Sequence, residues 1–399
     1  MAPSIYLDHA ATTPVAPEVL DAMIPYYREF WGNPSSIHRF GRQASQGVEE
    51  ARASVAKLLN CTPKEIYFTS GGTEADNLAI FGTAMAKEDK GKHIITSAIE
   101  HHAVLHSCEA LEKRGWEVTY LPVDNTGRVD PEAVRAAIRP DTVLVTIMHA
   151  NNEIGTVQPI AEIGKICREA KVWFHTDAVQ SVGHIPTRVD ELNVDMLSLS
   201  GHKLYGPKGI GVLYIRRGVR VKPLIYGGGH ERGMRSGTEN VPAMVGLGRA
   251  AELAMAEMEA ESVRQARLRD KLLDGLTSRI PDCIVTGNRE HRLPNNASII
   301  SKYVEGEAQL LRLDAVGIAA SSGSACTSGS LDPSHVLLSI GTPVEFAHGS
   351  LRFSLGRGTT EEEIDYVLEQ LPPIIETLRA MSPFGPSSAY VCDGGTPAH

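Results

Sequence analysis

The sequence predicts an α/β fold, with a large domain built on a mostly parallel sheet between helices and a smaller α+β domain after it. Three observations carry this. From about residue 60 to 225, short β-rich runs alternate with helix-length stretches, the rhythm of βαβ units. Val241 to about Ile280 is one long helix-prone region rich in Ala, Leu, Met, Glu and Arg. Beyond it, shorter strands and one more helix follow.

The predicted strands of the large domain are 65–70 (EIYFTS), 92–97 (KHIITS), 142–148 (TVLVTIM), 172–176 (VWFHT), 196–200 and 211–215. Helix-length segments lie between most of them, at 73–86, 103–114 and 160–170. The small domain is expected to hold strands 297–301 and 350–354 and a helix over 360–381. The expected division is 1–20 as a segment packing with the small domain, 21–260 as the large domain, 261–384 as the small one and 385–399 as a mobile tail rich in Gly, Pro and Ser. No internal repeat is present.

A chain of 399 residues is too long for one small core. Its 42% hydrophobic and 22% charged residues are those of a soluble globular protein. A net charge of −9 without a basic block argues against nucleic acid as a partner. No apolar stretch approaches the roughly 20 residues that span a bilayer, and the first residues lack the basic-then-apolar pattern of a signal peptide. The six cysteines, at 61, 108, 167, 283, 326 and 392, form no Cys-x-x-Cys pair, which points to a reduced, cytoplasmic protein.

In a doubly wound sheet, ligands bind beyond the carboxyl ends of the strands, and polar residues cluster there. Ser200-Gly201-His202-Lys203 follows one apolar run and precedes a Gly-punctuated segment. A lysine held in such a turn can form a Schiff base with a carbonyl cofactor; alone, the tetrapeptide reads equally as a surface hairpin. Gly71-Gly72-Thr73-Glu74 opens a helix and offers backbone N–H groups and a hydroxyl to a phosphate, or serves as an ordinary N-cap. Glu100, His101 and His102, then Asn151, Asn152 and Glu153, then Asp177 and Gln180, end the other strands. Together these groups suit pyridoxal 5′-phosphate: an amine for its aldehyde, a carboxylate for its pyridine nitrogen, an imidazole to stack and carry protons.

His102 and His106, at i and i+4 with Cys108 nearby, also fit two zinc ligands, but further ligands at recognised spacing are missing, so no intrinsic metal is expected. Nine of the ten residues 321–330 (SSGSACTSGS) are Ser, Gly, Ala or Thr, and the tenth is Cys326. Such a loop reads as a linker, or as a means of carrying a thiol between two places. Arg352 in the small domain could grip a substrate carboxylate or form a salt bridge.

The blocks 6–13 (YLDHAATT), 32–38 (GNPSSIH), 71–77, 151–156 (NNEIGT), 177–181 (DAVQS), 200–211, 227–238 (GGGHERGMRSGT), 321–328 and 352–363 occur in an order that resembles the NifS/IscS-type (group I) cysteine desulfurases, aminotransferase class V enzymes of fold-type I, and the likeness covers almost the whole chain. The resemblance implies a seven-stranded sheet and a homodimer. It implies Lys203 as the aldimine lysine, Asp177 on the pyridine nitrogen, Gln180 on the ring hydroxyl and His101 stacked on the ring. Gly72, Thr73, Ser200 and His202 would hold the phosphate, and Thr238 would reach the phosphate of the neighbouring subunit. Asn152 and Arg352 would bind L-cysteine, and Cys326 would take its sulfur as a persulfide, leaving alanine. The sulfur would pass to a NifU- or IscU-type scaffold for iron–sulfur cluster assembly, with the NifS-like, nitrogen-fixation branch favoured by the 304–307 and 317–330 stretches. A selenocysteine lyase or another class V enzyme is the alternative, and a non-enzymatic persulfide carrier a weaker one. The C-terminal tail departs from the IscS pattern; Cys392 within it could relay sulfur or be incidental.

Overall fold

The structure, a computed structural model, describes residues 4–322 and 333–382. Cys326, Cys392 and the expected tail lie outside the described residues. Twelve strands follow in chain order among the described residues: β1 (Ile5–Tyr6), β2 (Ile66–Thr69), β3 (His93–Ser97), β4 (Glu117–Leu121), β5 (Thr142–Thr146), β6 (Trp173–Asp177), β7 (Met196–Ser200), β8 (Gly211–Ile215), β9 (Cys283–Val285), β10 (Asn296–Ser301), β11 (Ile318–Ala319) and β12 (Ser350–Ser354).

Seven of them form the large sheet in the order β2-β8-β7-β6-β5-β3-β4. The run β4-β3-β5-β6-β7 is parallel, while β8 lies antiparallel to both β7 and β2. Strands β3, β5, β7 and β8 are buried at every position. Helices cover both faces, so these strands read as continuous rather than alternating apolar runs. The expected strands are all present, with ends differing by a residue or two. β4 was not among them: at the sheet edge, Glu117, Val118, Thr119 and Tyr120 keep partial or full exposure, and the apolar run that marks a buried strand is missing.

The long helix Val241–Arg279 serves two cores. Its first half, including Leu247, Ala250, Ala251 and Ala254, packs with the helix Arg39–Leu59. There a Cβ on Gly248 would stand 2.5 Å from Ala51 Cα, so only glycine permits the approach. Its second half puts Leu268, Leu272, Leu273 and Leu276 against Phe353, Leu368 and Leu371. Each buried leucine contributes about 1.5–3 kcal/mol. This second core includes the antiparallel sheet β12-β10-β9 and takes Ile5 and Leu7 from the N-terminal segment. That segment crosses between the cores: β1 pairs in parallel with β11, and Asp8 bridges Ser354. The helix Glu361–Met381 starts at a capping box in which Thr360 and Glu363 satisfy each other's backbone N–H groups.

Candidate active site

The carboxyl ends of β3, β5, β6 and β7 open on one cavity of about 520 Å³. Its wall brings together Gly72, Thr73, His101, Asn152, Asp177, Gln180, Ser200, His202, Lys203 and Arg352. These are ten of the twelve expected site residues. Thr238 is exposed and stands away from this cavity, and Cys326 lies outside the described residues.

The lysine turn is built by its neighbours. β7 ends at Ser200, and Gly201–Lys203 forms one tight turn. A Cβ on Gly201 would meet Ile210 Cγ2 at 2.8 Å and Pro207 O at 3.0 Å. Tyr205 follows with φ of 62°. The N-terminal segment stabilises that conformation: Thr13 Oγ1 donates to His202 O (3.1 Å) and accepts from the Tyr205 N–H (2.9 Å). Lys203 Nζ donates to the carbonyls of Ala10 (2.5 Å) and Ala11 (2.8 Å), and Gln180 Nε2 donates to Ala10 O (3.0 Å). Nothing in the sequence marks these two carbonyls, because they act through backbone.

Gly72 starts the helix Gly72–Lys87 at the cavity wall. A Cβ there would stand 2.6 Å from Val179 Cγ2, so glycine keeps the helix N-terminus open to the cavity. His202 Nδ1 pairs with Thr12 Oγ1 at 3.1 Å. Arg235 binds Glu74 (2.9 Å), which also accepts the Ser70 N–H (2.9 Å), and ties the segment leading to Thr238 to this helix start.

Burial sets the protonation states. It pushes His101 down to about 4, with His102 and Lys203 adding to the effect, so the imidazole is neutral. His101 Nδ1 accepts the Ala103 N–H (3.1 Å), which assigns the ring proton to Nε2. Burial pushes Asp177 up to about 6, while the Val179 N–H (2.9 Å) and Lys203 pull it back, leaving a carboxylate at neutral pH. Glu100, against the same wall, is pushed up to about 8 by burial.

Arg352 is 3% exposed. Its Nη1 donates to Asn152 O (2.9 Å) and its Nη2 to Asp8 Oδ1 (3.0 Å), while Nε has no partner among the described residues. Its backbone pairs with Ser321 on both sides. Glu153, also on the cavity wall, accepts the Ser334 hydroxyl at 2.5 Å and is pushed up to about 7 by burial. Ser321 and Ser334, on either side of the Cys326 segment, are thus both fastened to residues of the cavity wall. The buried acids Asp76, Glu100 and Glu153 also line the cavity, as do Ser334 and His335. Glu100 and Glu153 stood at strand ends in the sequence with no role to mark them, and Asp76 is hidden within a helix.

The His102 ring centre lies 4.9 Å from that of His106, tilted, and 5.0 Å from that of His335, edge-on. Among the described residues no group of three or more His, Cys, Asp or Glu is arranged to hold a metal ion. No described helix is long and apolar enough to cross a membrane.

The sequence pattern of the aminotransferase class-V family matches residues 5–367. The chain is 56% identical over 380 residues to a protein of Dictyoglomus turgidum named cysteine desulfurase IscS, covering 95% of this chain and 96% of that one. It is 55% identical over 380 residues to cysteine desulfurase 1 of Trichormus variabilis, covering 95% of each. A solved NifS-like protein superposes with a TM-score of 0.88 at 40% identity, over 95% of this chain and all of that one. SspA in complex with cysteine superposes with a TM-score of 0.79 at 39% identity, over 88% of this chain and 99% of that one. The matches carry both branch names, IscS and NifS-like, and do not divide between them. Sequence and fold agree: this chain belongs to the aminotransferase class-V family, within the group of the cysteine desulfurases.

Proposed function

We propose that this chain is a pyridoxal-phosphate-dependent cysteine desulfurase, which takes sulfur from L-cysteine, releases L-alanine and holds the sulfur as a persulfide on Cys326. The observation that carries it is the meeting of Lys203, Asp177, His101 and Arg352 in one cavity to whose wall both flanks of the Cys326 segment are fastened.

The residues present fit the cofactor. The open helix start at Gly72, with Thr73, Ser200 and His202, suits its phosphate. Asp177, ionised at neutral pH, suits the pyridine nitrogen, and Gln180 the ring hydroxyl. Bound there, pyridoxal phosphate would supply an electron sink for the pair left when the substrate α-proton departs. Lys203 takes and returns that proton at Nζ, its amine oriented by the carbonyls of Ala10 and Ala11. Neutral His101 would stack on the ring and handle protons at Nε2. Asn152 and Arg352 hold the substrate, whose carboxylate shares the guanidinium with Asp8.

The Cys326 thiolate attacks the substrate sulfur; the new S–S bond forms as the C–S bond breaks, and the carbon fragment keeps the electron pair, takes up a proton and becomes alanine. Cys326 is four residues beyond Ser322, a span of at most about 14 Å. Burial pushes the thiols of Cys61 and Cys167 up to about 12, that of Cys283 up to about 11, and that of Cys108 higher still, so none of the four competes as a nucleophile at neutral pH.

The working unit is a homodimer in which Thr238 reaches the partner's cofactor phosphate. Exposed Tyr27, Trp31, Ile37 and Tyr226 support this: Ile37 is 91% and Tyr226 76% exposed, and residues 34–35 line one surface pocket with 229–232 and 239, on the loop that carries Thr238. The division into a cofactor domain to residue 260 and a small domain to 384 follows the two cores that share the long helix. The sulfur acceptor is a NifU- or IscU-type scaffold for iron–sulfur clusters, in the cytoplasm.

The test is anaerobic turnover with L-cysteine and a thiol reductant, scoring sulfide and alanine together beside the visible spectrum. Equal yields from the wild type and none from Cys326→Ser are expected. A Cys326→Ser protein that forms alanine at the wild-type rate would overturn the role of Cys326, and a protein that takes up no pyridoxal phosphate would overturn the whole reading.

A further inference from the structure

Three buried carboxyls, Asp76, Glu100 and Asp177, share the cavity wall. Glu100 accepts the Met148 N–H with both oxygens (3.0 Å each) and the Ser97 hydroxyl (2.5 Å). Asp177 accepts the Val179 N–H and has Lys203 within electrostatic reach. Asp76 accepts no backbone N–H at its carboxyl among the described residues. It is 1% exposed, on the first turns of the helix that opens at Gly72, and its Oδ1 has no hydrogen-bond partner among the described residues. The Ser198 hydroxyl reaches its carboxyl.

The basic group that Asp76 meets is the His175 imidazole, with Nε2 3.7 Å from Oδ1. That ring is fully buried and held at both nitrogens, by Thr146 Oγ1 and Ser198 Oγ at 2.9 Å each. Burial pushes it down to about 3, so it brings no charge. Asp177 presses on Asp76 with like charge, and Glu100 adds to this only where it is itself ionised. Two neighbouring buried carboxyls do not both ionise, and the proton stays where the anion is least supported.

We propose that Asp76 is a positioning residue for Asp177: it stays a neutral carboxylic acid in the cavity wall, so that the charge of the Asp76–Asp177 pair falls on Asp177, facing the cofactor. What Asp177 faces rests on the pyridoxal-phosphate reading; the state of Asp76 does not.

The experiment compares wild type with Asp76→Asn, and with Asp76→Ser as a second variant that cannot ionise. The wild-type-minus-variant infrared spectrum of the cofactor-free protein at pH 7 should show the carbonyl stretch of a protonated carboxylic acid; carboxylate bands in its place overturn the proposal. Cofactor-free thermal unfolding gives the second readout. A carboxyl that stays protonated when folded but ionises when unfolded loses stability for the fold as pH rises above the unfolded carboxylate range. Asp76→Asn should therefore gain on wild type between pH 5 and pH 8, and a growing deficit overturns the proposal. The third readout is the pH at which pyridoxal-phosphate binding falls to half. It should move by less than about 0.5 in Asp76→Asn, whereas an ionised wild-type Asp76 predicts an acid shift of about one unit or more. Binding by neither protein would refute the cofactor reading and leave the infrared and unfolding results to decide on Asp76.

Discussion

Arg52→Met tests how the segment that carries Thr238 is held. Arg52 and Glu231 have side chains only 4% and 2% exposed. Glu231 accepts from Arg52 Nη1 (2.9 Å) and Nη2 (2.7 Å) and from the Phe68 N–H (2.8 Å), and Arg52 also donates to Ile66 O (2.8 Å). Glu231 and Arg232 both have left-handed backbone, with φ of 45° and 55°, a strain of about 1–3 kcal/mol each. Methionine fills the space but leaves a buried carboxylate with one backbone donor. Breaking one side of such a pair costs about 3–5 kcal/mol, which at about 1.4 kcal/mol per tenfold is a 10²- to 10⁴-fold rise in local opening. Hydrogen exchange of the 227–238 amides reads this directly. Adding Glu231→Gln should recover part of the loss, because it removes the unpaired charge. Exchange within about threefold of wild type, or a double variant worse than Arg52→Met, would refute the reasoning.

Three further outcomes follow from the geometry. Arg352→Gln should lower kcat/KM for L-cysteine by roughly 10- to 100-fold while leaving cofactor uptake intact; loss of the cofactor instead would assign Arg352 a structural role. Asp177 lies at about 6 in the cofactor-free protein, and its charge is lost below that value. Pyridoxal-phosphate affinity should therefore fall as pH drops from 7 to 5 in an absorbance titration, and a flat profile would remove Asp177 from the pyridine nitrogen. Gly248→Ala places a Cβ 2.5 Å from Ala51 Cα between two packed helices. It should cost about 1–3 kcal/mol, seen as a lowered Tm.

Most of the fold was legible because its central strands are buried on both faces and its helices fall between them in turn. β4 was missed because an edge strand with Glu117 and Thr119 lacks that run, and β1, β9 and β11 are two or three residues long. The site was legible where a side chain acts at a strand end: Lys203, Asp177, His101 and Asn152 all stand there. It was illegible where the chemistry lies in backbone or in long-range pairing. The carbonyls of Ala10 and Ala11 carry no letter, and the pairing of Arg52 with Glu231 across 179 residues leaves no local pattern. Asp76, inside a helix, looks in sequence like any polar residue of a helical face.

The strap formed by residues 5–13 sets a timetable for biosynthesis. These residues emerge from the ribosome early, yet β1 must wait for Ile318 and Asp8 for Ser354 before either finds its partner. Until then Ala10 and Ala11 have no fixed frame from which to hold the Lys203 amine. A half-made chain can thus assemble its large sheet while its reactive lysine remains unaimed. The frame for the lysine is complete only once the strap meets Ile318 and Ser354, and contacts so far apart in sequence cost closure entropy before they reward it.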